Sequence, residues 1–151
     1  MTVATAIHRR VDALRAGTDP TFIARLASGW AVMGERQVLP GYCLLLPDPV
    51  VPTLNALAIP DRTQFLADMT ALGDAVLRVT RALRINYAIL GNQEQALHAH
   101  VIPRFHDEPA QYATTHPWAY DWDAAIAFDP EQHRELRDRI HTALGAPAPA
   151  Y

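Results

Sequence analysis

Gly91-Asn92-Gln93-Glu94-Gln95-Ala96-Leu97-His98-Ala99-His100-Val101-Ile102-Pro103-Arg104-Phe105-His106 is the stretch on which the reading of this chain turns. Residues 97–102 predict a β-strand, and side chains alternate faces along a strand. His98 and His100 then project from one face, and Leu97, Ala99 and Val101 from the other. Alternate residues on a strand stand roughly 7 Å apart, a gap that accepts a phosphate group or a metal ion. A neutral imidazole is a nucleophile and proton shuttle near pH 7. It can attack phosphorus and carry the transferred group, while a second ring donates a hydrogen bond to a phosphoryl oxygen. The same spacing arises on solvated strand faces. It also suits two metal ligands, with His106, Asp107 and Glu108 as the nearest further candidates.

Working outward, Ile85–Leu90 is a second strand candidate, joined to the first by GNQEQ. Upstream, Phe65, Met69, Leu72, Val76, Val79 and Leu83 recur at steps of three and four, which predicts an amphipathic helix from Pro60 to about Leu83. Pro60 suits a first helical turn and Asp61 the positive end of the dipole. Residues 30–33 and 41–46 are short apolar runs separated by turn residues and predict an antiparallel hairpin, closed by the prolines of 47–52. Ile7, Val11 and Leu14 predict a short helix over 6–16, and a brief second helix is expected at Phe22–Leu26. Residues 105–128 read as a polar, proline-containing loop. Asp129-Pro130-Glu131-Gln132 signals the start of a closing helix whose apolar side is Leu136, Ile140 and Leu144. The expected architecture is α+β: an antiparallel sheet of about five strands, one long helix packed on a face, and a C-terminal helix. A single domain is expected over 1–151, with its core at about 20–106, a loop and helix at 107–145, and a frayed tail at 146–151.

Composition narrows the function. The chain has 151 residues, a net charge of −3 and 50% hydrophobic residues. It should fold around its own core, and the charge argues against a nucleic-acid partner held by phosphate attraction. All 13 basic residues are arginine, so Schiff-base and P-loop lysine chemistry are excluded. A single cysteine, Cys43, excludes an internal disulfide and multi-cysteine metal sites; it reads as an inert core residue in a cytoplasmic protein. No run is long and apolar enough for a membrane span, so no membrane partner is expected.

LHAHVIPRF resembles the signature of the histidine triad (HIT) superfamily, in which three histidines alternate with apolar residues. VLPGYCLLLP looks like that family's second core strand, and NYAILGNQEQALHAHVIPRF is similar to a bacterial HIT-like branch. Together with the long helix, the resemblance covers about 25–106. It implies a nucleotide hydrolase or nucleotidyl transferase acting at the α-phosphate of a nucleoside phosphate derivative, of the dinucleoside polyphosphate or nucleoside phosphoramidate type. In the family the middle histidine, here His98, forms a nucleotidyl-histidine intermediate, its ring oriented by a main-chain carbonyl. His100, Asn92, Gln95 and Asn86 then fall at phosphate- or nucleotide-binding positions. The resemblance further implies a homodimer with a nucleotide ligand and no cofactor or metal site of its own, beyond Mg²⁺ that arrives with a nucleotide.

Three positions depart from the family pattern. The first triad histidine is replaced by Ala96, the acidic or asparagine ribose contact falls at about Gly34, and the residue after Pro-Gly, often histidine, is Tyr42. A catalytically impaired nucleotide-binding protein is therefore the alternative, and a small His-ligated metalloprotein a lesser one. Arg104 reads as a solvated strand end. Trp118 and Trp122 read as tethers of the C-terminal loop or as stacking partners for a base, and His8, His133 and His141 as solvated helix residues.

Overall fold

The computed structural model describes residues 3–145, so the predicted frayed tail lies outside the described residues. Helix α1 (Ala6–Arg15) comes first, capped by Thr5, whose hydroxyl accepts from the His8 N–H. His8 is therefore part of a capping box and not simply solvated: its ring accepts in turn from the Thr5 N–H. Strands β1 (Phe22–Arg25), β2 (Gly29–Met33), β3 (Arg36–Gln37) and β4 (Cys43–Pro47) follow. Helix α2 (Ile59–Thr80), β5 (Arg84–Ala88), β6 (Ala99–Arg104), β7 (Ile126–Ala127) and α3 (Arg134–Leu144) complete the order.

Five strands make one sheet in the order β1-β2-β4-β6-β5, every neighbouring pair antiparallel. Both faces are covered. Leu45, Cys43, Ala99 and Val101 point to the face that packs on Phe65, Leu72 and Val76 of α2 and Ile140 of α3. Val32, Leu44, Leu46 and Ile102 point to the opposite face, which packs on Ile7, Val11 and Leu14 of α1 and on the C-terminal loop. Asp68 of α2 accepts from the Ser28 N–H and hydroxyl and from Gln64, tying the helix to the β1–β2 turn.

The α+β architecture, the five-strand antiparallel sheet and the long helix agree with the sequence expectation, and five details differ. Residues 22–25 form an edge strand rather than a helix, because β2 supplies a ladder to a segment too short to show periodicity. Helix α2 stops at Thr80, where Arg81 takes a left-handed backbone (φ 56°), so Leu83 lies beyond it and is exposed. The histidine strand is shifted: its ladder begins at Ala99 and runs through Pro103 to Arg104. Pro103 is tolerated because pairing with β4 ends at Val101. The loop at 105–128 contains β7, which pairs with β3. Helix α3 begins at Arg134, not Pro130; Asp129 caps a preceding turn, accepting from the Glu131 and Gln132 N–H groups.

Leu45 of β4 is wholly buried and packs in the core cluster with Phe65, Leu72 and Val76 of α2. Leu45→Ala should cost about 2–5 kcal/mol. Urea denaturation should show a lower midpoint with an unchanged slope.

Candidate functional site

The candidate site forms where β6 begins. Leu97 donates its N–H to the Val51 carbonyl, which fixes the segment entering the strand and sends Leu97 into the α2 core. His98 and His100 follow on the other face, their ring centroids 4.9 Å apart and their planes at 73°. The predicted shared face is thus present, although His98 precedes the ladder by one residue.

Each ring is held by a different partner. His98 Nδ1 lies 2.7 Å from the Ala96 carbonyl oxygen. A carbonyl can only accept, so Nδ1 carries the proton and Nε2 the lone pair. The identity of the side chain at position 96 does not enter this bond, because the main chain supplies the acceptor. His100 Nδ1 lies 2.7 Å from the Tyr42 hydroxyl. Trp118 meets the His100 ring edge-on at 5.1 Å, and Trp122 meets Tyr42 edge-on at 5.2 Å. Burial, and secondarily the adjacent His98, push the His100 pKa down to about 4, so it is neutral at pH 7. Burial pushes the Tyr42 phenol up, so its proton stays on.

His98 lines a cavity of about 320 Å³ with Thr53, Asn55, Gly91 and Ala96 among its walls. A second cavity of about 590 Å³ lies across Pro52 and Ala96, bordered by His8, Gln93, Glu94 and Gln95. Burial works against ionisation of Glu94, but hydrogen bonds from Thr5 and from the Ala96 and Ala6 N–H groups, with His98 nearby, hold its carboxyl below the usual range.

The other sequence candidates are dispersed. Asn92 is exposed and lines neither cavity, although Gly91 beside it lines the first. Gln95 is exposed and borders the second cavity, not the one at His98. Asn86 lies opposite Ile102, and its Oδ1 accepts from Arg104 Nη1 at 2.8 Å. Arg104 is no solvated strand end. It is 6% exposed and forms a buried pair with Glu108 at 2.9 Å. It also donates to the Thr115 and Tyr112 carbonyls. Burial alone would raise the Glu108 carboxyl; hydrogen bonds from Arg104, Tyr120 and the Phe105 N–H outweigh it and hold the group below its usual value. Glu108 is thereby committed and unavailable to a metal. No cluster of three or more metal-ligating side chains occurs among the described residues. His133 and His141 are engaged too: His133 stacks on Phe128, and His141 Nδ1 lies 2.6 Å from the Ile23 carbonyl. Cys43 is fully buried, and burial raises its thiol.

Sequence reading did not assign Tyr42 to the site. The available signal was its place directly before the apolar strand β4, which pairs with the histidine strand. Glu35, beside Gly34, has an exposed side chain near Arg10.

By sequence, no family model and no curated protein matches the chain. Solved structures do match. A histidine triad protein from Marinobacter aquaeolei superposes with a TM-score of 0.73 at 19% identity, covering 95% of this chain and 98% of that one. One from Sinorhizobium meliloti gives 0.69 at 23% identity, covering 86% and 93%. The chain has the histidine triad fold. A histidine triad nucleotide-binding protein from Sulfolobus tokodaii, described as hypothetical, gives 0.70 at 13% identity over 89% and 90%. At these identities the likeness is one of fold. No helix among the described residues is long and apolar enough to cross a membrane.

Two outcomes follow from the site's electrostatics. Arg104→Met leaves Glu108 buried without its partner and should cost about 3–5 kcal/mol. Limited proteolysis should then cut within residues 109–122. For His100, the folded pKa near 4 lies below the ordinary 6.5, so the unfolded chain takes the proton first as pH falls. Its contribution to stability is intact above about pH 6.5 and is lost as pH falls to about 4. Denaturant titrations at pH 7 and 4.5 should show a smaller pH-dependent loss in His100→Asn than in the parent.

Proposed function

We propose that this chain is a nucleotide hydrolase or nucleotidyl transferase of the bacterial HIT-like branch, with alanine at the first triad position. The reaction centre is the α-phosphate of a dinucleoside polyphosphate, a nucleoside phosphoramidate or an adenylylated compound. The observation that carries the proposal is the His98 Nδ1 bond to the Ala96 carbonyl, which leaves the Nε2 lone pair free beside a second imidazole.

In the first step Nε2 attacks phosphorus, an N–P bond forms, and the bond from phosphorus to the leaving group breaks with its electron pair. The ring becomes cationic as it bonds phosphorus, and the Ala96 carbonyl on Nδ1–H offsets that charge. His100, neutral and carrying a hydrogen on Nε2, donates to a phosphoryl oxygen or to the departing atom as negative charge develops there. In the second step water attacks phosphorus, the N–P bond breaks, and the water's proton is released. No resident metal takes part; Mg²⁺ enters with a nucleotide. Support for a nucleotide ligand comes from the fold shared with the Sulfolobus protein, whose description names nucleotide binding. Asn92 and Gln95, on the turn before His98, remain candidate phosphate contacts on closure of that turn. Asn86, held by Arg104, reaches the ligand only if that bond opens.

The protein is taken to act as a cytoplasmic homodimer. Edge strand β5 leaves one side of the sheet open next to exposed Leu83 and Leu90, and the lone Cys43 is a buried free thiol. Ala96 and Gly34 favour the second reading, a nucleotide-binding protein with turnover reduced or lost. Losing one hydrogen-bond partner at a site costs about 1–4 kcal/mol, or roughly tenfold to a thousandfold in rate.

Incubation with α-³²P-labelled diadenosine polyphosphate should leave acid-labile label on the parent chain and none on His98→Gln. Unchanged product formation in His98→Gln would overturn the mechanism. Binding by calorimetry with no turnover and no label would favour the binding-only reading.

A further inference from the structure

We infer that Tyr42 is a positioning residue for His100: its hydroxyl donates to His100 Nδ1 and fixes the ring as the Nε2–H tautomer, and Gly34 is glycine to make room for it. The inference rests on the proposed role of His100 as a phosphoryl donor, but its geometry stands independently.

The direction of the Tyr42–His100 bond follows from satisfaction of a buried phenol. Tyr42 is 4% exposed, and its hydroxyl makes no other hydrogen bond among the described residues. If it accepted from Nδ1–H, its own hydrogen would be buried without an acceptor. If it donates, both groups are satisfied. Nδ1 then holds the lone pair and Nε2 the hydrogen. This is the reverse of His98, whose Nδ1 must donate to a carbonyl. Adjacent rings are thereby set as an acceptor-nucleophile and a donor, with no carboxylate hydrogen-bonded to either among the described residues.

The ring that makes this bond is placed by its own neighbours and by bonds to its main chain. A Cβ at position 34 would lie 2.1 Å from Tyr42 Cδ1 and 2.3 Å from Cε1, so any side chain there displaces the ring. Buried Gln37 holds the turn around it, donating to the Gly34 and Tyr42 carbonyls at 2.8 and 2.9 Å and accepting from the Gly41 N–H at 3.0 Å. The Gly34 N–H donates to the Tyr42 carbonyl at 2.9 Å. Trp122 closes the outer edge. Gly34 and Tyr42 are thus one feature: a residue with a side chain at 34 and a tyrosine at 42 exclude each other in this backbone.

Two variants test it in the full chain: Tyr42→Phe, which keeps the ring and removes the hydroxyl, and Gly34→Ala, which keeps the hydroxyl and moves the ring. Long-range ¹H–¹⁵N spectra of histidine-labelled protein at pH 7 read the tautomers directly. The parent should show His100 with hydrogen on Nε2 and a hydrogen-bonded Nδ1, and His98 with hydrogen on Nδ1. In both variants the His100 Nδ1 signal should lose its hydrogen-bonded shift and the His98 pattern should persist. Turnover of a diadenosine polyphosphate by Tyr42→Phe should fall roughly tenfold in kcat with KM changed less than threefold, as expected for one lost hydrogen bond. A parent His100 with hydrogen on Nδ1, or an unaltered Nδ1 signal in Tyr42→Phe, overturns the inference. Spectra as expected with no turnover by the parent would fell the proposed reaction and leave the positioning intact. Spectra as expected with kcat unchanged in Tyr42→Phe would overturn the role in chemistry.

Discussion

An interior strand covered on both faces has no neutral direction in which to place a side chain. β6 is such a strand, flanked by β4 and β5 and packed under α2 on one side and α1 on the other. Its alternation therefore commits Leu97, Ala99 and Val101 to the α2 core. The same alternation sends the two histidines together to the opposite face. A one-residue slip would drive both imidazoles into the α2 core and carry Leu97, Ala99 and Val101 to the face that holds the site. The energetics of the core and the assembly of the histidine pair are one constraint, and register is protected by both.

The second organising element is electrostatic. The C-terminal loop folds back over the sheet because Arg104, at the end of the same strand, gathers the Tyr112 and Thr115 carbonyls, Asn86 and Glu108 around one guanidinium. Glu108 in turn collects Tyr120 and the Phe105 N–H. A planar fork with five donors suits this arrangement, and a point-charge ammonium would not. The Trp118–Trp122 stack is carried to His100 by that anchor and by the β3–β7 ladder, so the aromatic wall of the site is set by a charge pair remote from it.

Much of this was legible in the sequence because it depends on local pattern. The shared face of His98 and His100 needs only the period of a strand, and α2 needs only the recurrence of Phe65, Met69, Leu72 and Val76. The bond from His98 to a main-chain carbonyl was expected from family resemblance and is present. What was not legible depends on pairing across the chain. Phe22–Arg25 carries no periodicity of its own and becomes a strand only beside β2. Arg104 looks like a strand end until residues 108–115 wrap it. Tyr42 enters the site through a partner 58 positions away, and Gly34 looks like an omission until the ring that occupies its space is seen. Asn86 had a polar side chain at a suggestive position, but the buried guanidinium claims it.

The order of the strands also sets when the histidine pair comes into being. β6 is the last strand of the sheet in sequence and slots between two that precede it, one of them on the far side of α2. Closing that long loop costs chain entropy which is recovered only when both of its edges zip. During synthesis the emerging polypeptide can build its first hairpin and long helix before either imidazole has a surface to stand on. The paired imidazoles thus belong to the completed sheet alone, and a chain that stopped short of β6 would carry neither the pair nor the strand that holds it.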